Sequence, residues 1–290
     1  MHSLSRAVKH MEADGLVRRA RPWLGTIVEI AAPVGSEDAI EAGFASIRHV
    51  HKRMSYHEAG SDLEMLRDAA VGDVVAVDPE TVNVLRVAAQ LYNESDGVFD
   101  VTVGRHLVAT KFLPPRGNFA LEAMTGRGAD IDIIDDTHVR CNKALLIDLG
   151  GIAKGHAVDL AVAALIAAGC THGIVNAGGD IRVYGEPPQP IWLQASDGSL
   201  SEPIMLCDAA IATSSNRHSR KRIGRRWVTP QIGRAGAPLP IDHAVTIIAP
   251  TCIIADAMTK VAMADSRLAD RLLTRYGGRM ITPERRRSAA

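Results

Sequence analysis

Asp148-Leu149-Gly150-Gly151-Ile152-Ala153-Lys154-Gly155 and, further along, Val175-Asn176-Ala177-Gly178-Gly179-Asp180 decide how this chain folds and where it works. Each run sets a glycine pair beside a carboxylate at the end of an apolar, strand-like segment. The first adds a lysine where a helical pattern begins. Glycine pairs let a backbone turn tightly and approach a ligand closely, and the N–H groups at a helix start favour anions. One such turn alone reads equally as plain strand–helix punctuation. The two together read as a cradle for a phosphate-bearing ligand. A solvated lysine at a helix start is electrostatically misplaced, because the positive end of the helix dipole repels it. Lys154 therefore reads as a point charge against a phosphate, and Asp148 as an acceptor for ligand hydroxyls or ring N–H groups.

Outward from these runs, elements alternate in groups. Thr26 to Ile30 alternates as a strand, and Ser36 is expected to cap a helix carrying Ile40, Phe44, Ile47 and Val50 to about Lys52. Asp78-Pro79 marks a second helix start, a cap followed by proline in the first turn, and the helix stops near Asp96-Gly97. Short β-like runs follow at Ile131 to Ile134, Val139 to Cys141 and Leu145 to Leu149, then a helix from Ile152 to Ala168. Strands are expected at Gly173 to Asn176, Ile181 to Tyr184, Ile191 to Ala195, Ile204 to Cys207 and Ala244 to Ile248. Helices Ile253 to Ala264 and Ser266 to Arg275 follow. Grouped strands between helices favour an α+β fold with mainly antiparallel sheets and flanking helices over a doubly wound parallel sheet. Arg217 to Pro240 is the longest expected loop.

Bulk properties exclude whole classes. Thirty-three basic and 33 acidic residues cancel, so no global field points to nucleic acid. The basic run Arg217 to Arg226 lacks interleaved aromatics and reads as a solvated loop or an anion-steering rim. Cys141, Cys170, Cys207 and Cys252 form no C-x-x-C pair and read as buried free thiols. Met1 to Arg21 has no apolar core of a signal peptide, and no apolar run reaches membrane-spanning length. A cytoplasmic protein is the expectation. P-loop, dinucleotide-fold and H-E-x-x-H signatures do not occur.

Two further segments carry chemistry. Ala255-Asp256-Ala257-Met258-Thr259-Lys260 opens a helix directly after a strand, with Asp256, Thr259 and Lys260 on one face. It reads as an ordinary Asp–Lys surface pair or as part of a hard-cation site. Ser95-Asp96-Gly97-Val98-Phe99-Asp100-Val101-Thr102-Val103-Gly104 is a glycine-bounded turn, with Phe99 either core or a platform for a planar ring.

Leu24-Gly25-Thr26, Met54-Ser55-Tyr56 through Ser61 to Leu66, Asp96 to Gly104, Asp148 to Gly155 with Ala157-Val158-Asp159, Val175 to Asp180, Ala212-Thr213-Ser214 and Ile254 to Ala257 occur in the order of the ApbE family, which the chain resembles from about residue 21 to 277. The resemblance implies an ApbE-like, T-fold-related domain of two α/β lobes around a cleft, at residues 21–277. An N-terminal extension at 1–20 and a basic tail at 278–290 flank it. It implies an FAD:protein FMN transferase that moves FMN from FAD to a threonine hydroxyl of an acceptor protein, with Mg²⁺ and release of AMP. By motif position, Leu24, Tyr56, Val98, Phe99, Asp100, Asp148 and Lys154 would contact FAD. Gly151, Asp256 and Thr259 would hold Mg²⁺.

The sequence departs from the family pattern twice. Arg226-Trp227-Val228-Thr229-Pro230-Gln231-Ile232-Gly233 stands where members carry His-Ile-Ile-Asp-Pro-Arg-Thr-Gly, so the His and Asp are gone. Lys260 stands where members carry a metal-binding threonine. His218 and Lys260 are the remaining candidates for a catalytic group. A flavin-binding protein of the same fold without transfer activity is the alternative expectation.

Overall fold

The protein is described here from a computed structural model, covering residues 15–194, 199–216, 219–236, 239 and 244–281. The first half contains strands β1 (Leu16–Trp23) and β2 (Thr26–Pro33), helices α1 (Glu37–Met54) and α2 (Asp62–Asp68), strand β3 (Val74–Ala76), helices α3 (Pro79–Glu94) and α4 (Gly104–Ala109), and strands β4 (Ile131–Ile133) and β5 (His138–Cys141). Helix α5 (Ala153–Ala167) then leads into β6 (Gly173–Ala177), β7 (Asp180–Tyr184), β8 (Gln189–Ile191), β9 (Ile204–Leu206), β10 (Ala209–Ser215), β11 (Lys221–Ile223) and β12 (Arg226–Val228). Strand β13 (Ala244–Ala249), helices α6 (Cys252–Ala264) and α7 (Ser266–Arg275) and strand β14 (Arg279–Ile281) follow.

Seven strands form one sheet in the order β1-β2-β6-β7-β10-β13-β14, with every neighbouring pair antiparallel. Successive side chains of a strand face opposite sides, and the core divides accordingly. Val28, Ile30, Val175, Ala177, Ala210, Ala212, Val245 and Ile247 share one buried cluster with α1, α5 and α6. Ala31, Ile174, Ile181, Val183, Ile211 and Ile248 form a second cluster, closed by Ile191 and Leu206 of the β8–β9 hairpin. The sheet is thus a two-sided wall with helices on one face, which is the α+β, mainly antiparallel architecture expected from the sequence.

Local signals hold where side chains satisfy backbone groups. Asp78 caps α3 by accepting from Glu80 N at 3.0 Å, with Pro79 in the first turn. The helix ends at Glu94, followed by Asp96 and Gly97 at φ +52° and +73°. Helix α7 spans the expected residues, and Asp265 caps it.

Of the segment expected as an extension, residues 16–20 belong to β1, which pairs with β2. Of the segment expected as a tail, residues 279–281 form β14, which pairs with β13. The apolar residues of Leu145 to Leu149 are buried, but the segment joins no sheet; its backbone is taken by the 101–104 turn, with Asp148 N donating to Val101 O at 2.8 Å and Gly104 N to Leu146 O at 3.1 Å. The expected loop after residue 217 contains the β11–β12 hairpin. All four cysteines are free, three of them buried. Among the described residues no helix is long and apolar enough to cross a membrane.

Candidate functional site

The antiparallel order of the sheet brings two chain turns and the end of β10 to one end of the strands. The β1–β2 turn, with Leu24 and Gly25 at φ +56° and +72°, lies against the β6–β7 turn. A Cβ on Gly178 would come within 2.4 Å of Thr26 Oγ1, and Gly178 and Gly179 run at φ +67° and +103°. Only glycine meets both demands at Gly178, the positive φ and the missing side chain. Strand β10 runs antiparallel to β7 with Ile211 opposite Ile181, which carries its distal residue Ser214 to the same end.

Helices α5 and α6 deliver the charged groups there. They pack with their first turns almost in contact: a Cβ on Gly155 would lie 2.3 Å from Cys252 O. Asp159 of α5 accepts from Cys252 N and Ile253 N, both at 2.9 Å, and so caps α6 from a neighbouring helix. The same carboxylate binds Arg182 of β7 at 2.6 Å. One side chain thereby ties α5, α6 and the sheet together.

Within this frame four charged side chains form a chain of ion pairs. Lys154 Nζ donates to Asp180 and lies 3.4 Å from Asp256 Oδ2. On the other side of Asp256, Lys260 Nζ lies 3.3 Å from Oδ1. Lys260 Nζ also donates to Ser214 Oγ at 2.5 Å and Thr259 Oγ1 at 3.0 Å. Asp256 Oδ2 receives Gly155 N at 3.3 Å; Ser214 and Thr259 hydroxyls bond each other at 2.8 Å, and Thr259 donates to Asp256 O at 2.6 Å. Asp256 and Thr259 are essentially inaccessible.

The electrostatics follow from burial against pairing. Burial opposes the charge of Lys154, but Asp180 and Asp256 outweigh it and raise its pKa. Burial works against the Asp256 carboxylate too, yet Lys154 and Lys260 outweigh it and hold the pKa below the usual range. Asp180, desolvated and beside Asp256, is pushed up to about 6 despite Lys154.

The remaining expected residues take no part in this chain of ion pairs. Asp148 is half-buried, accepts Gly150 N at 3.3 Å, and has its pKa raised by burial against the pull of the Gly150 N–H and Lys260. Its backbone bond to Val101 fixes it beside Val98, Phe99 and Asp100. Val98 and Phe99 are buried in the main core. Asp100 Oδ1 is held by Thr102 N and Oγ1 at 2.8 and 2.7 Å. Tyr56 is buried with Leu107 and Leu113, donates to Pro114 O at 2.9 Å, and has its pKa raised by burial, with Asp148 adding to the shift.

A family profile described as the ApbE family matches residues 24–278. The chain belongs to the ApbE family. An FAD:protein FMN transferase of Rhodobacter capsulatus is 34% identical over 183 residues, covering 58% of this chain and 35% of that protein. The chain thus spans about a third of that relative's length. One from Chlamydia pneumoniae is 25% identical over 281 residues, 92% of this chain and 88% of its own. The crystal structure of the ApbE protein of Thermotoga maritima superposes with a TM-score of 0.80 at 26% identity, over 91% of this chain and 93% of that one. The apo flavinyl transferase ApbE of Pseudomonas stutzeri, at 22% identity and a TM-score of 0.77 over 94% and 90%, shares the fold.

The ApbE resemblance implies Mg²⁺ at Gly151, Asp256 and Thr259, and here the residues present do not fit it. Mg²⁺ demands near-octahedral oxygens at about 2.0–2.1 Å. The space between Asp256 Oδ1 and Thr259 Oγ1 holds the Lys260 ammonium, whose stem passes Gly151 so closely that a Cβ there would lie 3.1 Å from Lys260 Cε. A divalent ion about 3 Å from that ammonium meets repulsion of order 10 kcal/mol at an effective dielectric of ~20. Among the described residues no three His, Cys, Asp or Glu side chains group as a metal site either.

The second departure from the ApbE pattern is structural as well. Thr229, in place of the family aspartate, is buried, and its hydroxyl donates back to Gln231 O at 3.2 Å and Leu239 O at 3.4 Å. Trp227 beside it is half exposed, under Arg220 at 4.9 Å from its ring centroid. His218 lies outside the described residues. Sequence reasoning named Asp159 only as part of a motif and did not single out Arg182 or Ser214. No periodicity signals them, because their partners stand 93, 23 and 46 residues away.

Proposed function

We propose that this protein is an FAD:protein FMN transferase. The observation that carries this reading is the convergence of the 24–26, 148–155, 177–180 and 256–260 segments on one end of the sheet, around two lysines and the start of α5. That arrangement suits a pyrophosphate, and the relatives that match the chain nearly end to end are named for FAD and FMN transfer. In the reaction, a threonine Oγ of the acceptor protein bonds to the phosphorus of the FMN half. The bond from that phosphorus to the bridging oxygen breaks, AMP leaves with the electron pair, and the hydroxyl proton is released.

Leu24, Tyr56, Val98, Phe99, Asp100, Asp148 and Lys154 are the residues we assign to FAD. Asp148 and Asp100, fixed by backbone and hydroxyl donors, orient polar edges of the ligand. The two ammonium groups stabilise charge on the phosphates.

Loss of the family His and Asp at Arg226 and Thr229 supports a second reading, FAD binding without transfer. Incubation with FAD and purified candidate acceptors separates the two. Transfer gives flavin fluorescence that stays with the acceptor on a denaturing gel and free AMP in the supernatant. Bound FAD with neither product selects the second reading, and failure to bind FAD at all rejects both.

A further inference from the structure

We infer that Lys260 supplies, as a covalently attached ammonium, the positive charge that a divalent cation would otherwise bring to this cluster, so that the protein takes up FAD without metal. The identity of the ligand rests on the transferase reading. The metal half of the inference stands on the cluster alone.

Three observations carry it. The first is valence. An ammonium has three N–H donors, and Lys260 Nζ has an oxygen acceptor for each, in Ser214, Thr259 and Asp256. The group fills its position completely, and 18% of its side chain remains exposed.

The second is charge. Lys154 and Lys260 against Asp180 and Asp256 sum to zero, and a cluster this enclosed is stable when its charges cancel. A divalent ion added to it would leave two uncompensated positive charges. Removal of the Lys260 charge would instead leave one carboxylate in excess, with the Ser214 and Thr259 hydroxyls turned toward the vacated position.

The third is placement. Lys260 lies one helical turn beyond Asp256 on α6, the spacing that puts both on one face, so the ammonium is delivered by the same rigid element that carries the carboxylate. The longest of its three contacts is the 3.3 Å one to Asp256. That is the contact a phosphate oxygen displaces at least cost, leaving the two hydroxyl contacts to hold the ammonium in place.

The test uses the full chain and two probes. Mn²⁺ alone is titrated by calorimetry and by the loss of its free-ion paramagnetic resonance signal. FAD is titrated by fluorescence, once in EDTA and once in Mg²⁺. Wild type is expected to show no Mn²⁺ binding at millimolar concentration and FAD affinities within twofold of each other. Lys260→Thr and Lys260→Gln are expected to bind one Mn²⁺, and their FAD affinity to fall at least tenfold in EDTA. Micromolar Mn²⁺ binding by wild type, or FAD affinity lost in EDTA, overturns the inference. So do folded variants that still refuse Mn²⁺. If neither variant folds, the wild-type titrations decide. A wild type that binds no FAD in either buffer refutes the transferase reading, while the Mn²⁺ comparison still judges Lys260.

Discussion

Asp159→Ala should unlock the site from behind without touching it. The carboxylate caps α6 through two backbone N–H groups at 2.9 Å and binds Arg182 at 2.6 Å, with 13% of its side chain exposed. Loss of a helix cap costs about 0.5–2 kcal/mol. Loss of a hydrogen bond to a charged group adds about 1.5–3 kcal/mol. The two effects share one carboxylate and add incompletely, so about 3 kcal/mol is expected. That is a large part of the ~5–15 kcal/mol by which domains are stable. At about 2–4 °C per kcal/mol for a chain of this size, the melting temperature should fall by about 10 °C. Asp159→Asn, which retains one acceptor oxygen, should lose about half as much. Circular dichroism melts with a parallel urea titration measure both. An Asp159→Ala protein melting within about 2 °C of wild type would refute the role of Asp159 as the tie between α5, α6 and β7.

Gly155→Ala should cost about 1–3 kcal/mol by forcing α5 from α6, because its Cβ would lie 2.3 Å from Cys252 O; an unshifted urea midpoint would show that the contact gives freely. Asp148→Ala should weaken FAD binding more than tenfold, about 1.4 kcal/mol, and an unaltered fluorescence titration would remove it from the residues assigned to FAD. His156 has its pKa lowered by burial, against the opposing pull of Glu80, Asp159 and Asp78, and its Nε2 sits 2.9 Å from Glu80 Oε2. The unfolded chain therefore binds that proton more tightly. The His156 contribution is complete above the unfolded value of about 6.5 and declines as pH falls through the lowered folded value. His156→Gln should flatten stability against pH below neutrality, and an unchanged profile would refute it.

The sequence announces elements whose ends are chemical. Asp78-Pro79 places α3 correctly because a side chain there does the job of a missing backbone partner. Strand β10, Ala-Ala-Ile-Ala-Thr-Ser-Ser, gave no such notice. Its small residues have weak strand preference, and it is a strand because β7 and β13 flank it and α6 lies over it. Strand β1 hid behind its arginines, two of which pair with Glu29 and Glu41. The short helices α2 and α4, seven and six residues long, span too few turns to show a period. In the site, the glycine turns and both aspartates were readable as local patterns. The partnership of Lys154 with Asp180 and Asp256 was not, since 26 and 102 residues separate them and they meet only where α5 packs against α6 and β7.

The caps on α5 and α6 are crossed. Asp159 of α5 takes the Cys252 and Ile253 amides that open α6, and Asp256 of α6 takes the Gly155 amide in the first turn of α5. Each helix start is quieted by an anion carried on the other helix, so neither first turn can shift without uncapping its neighbour.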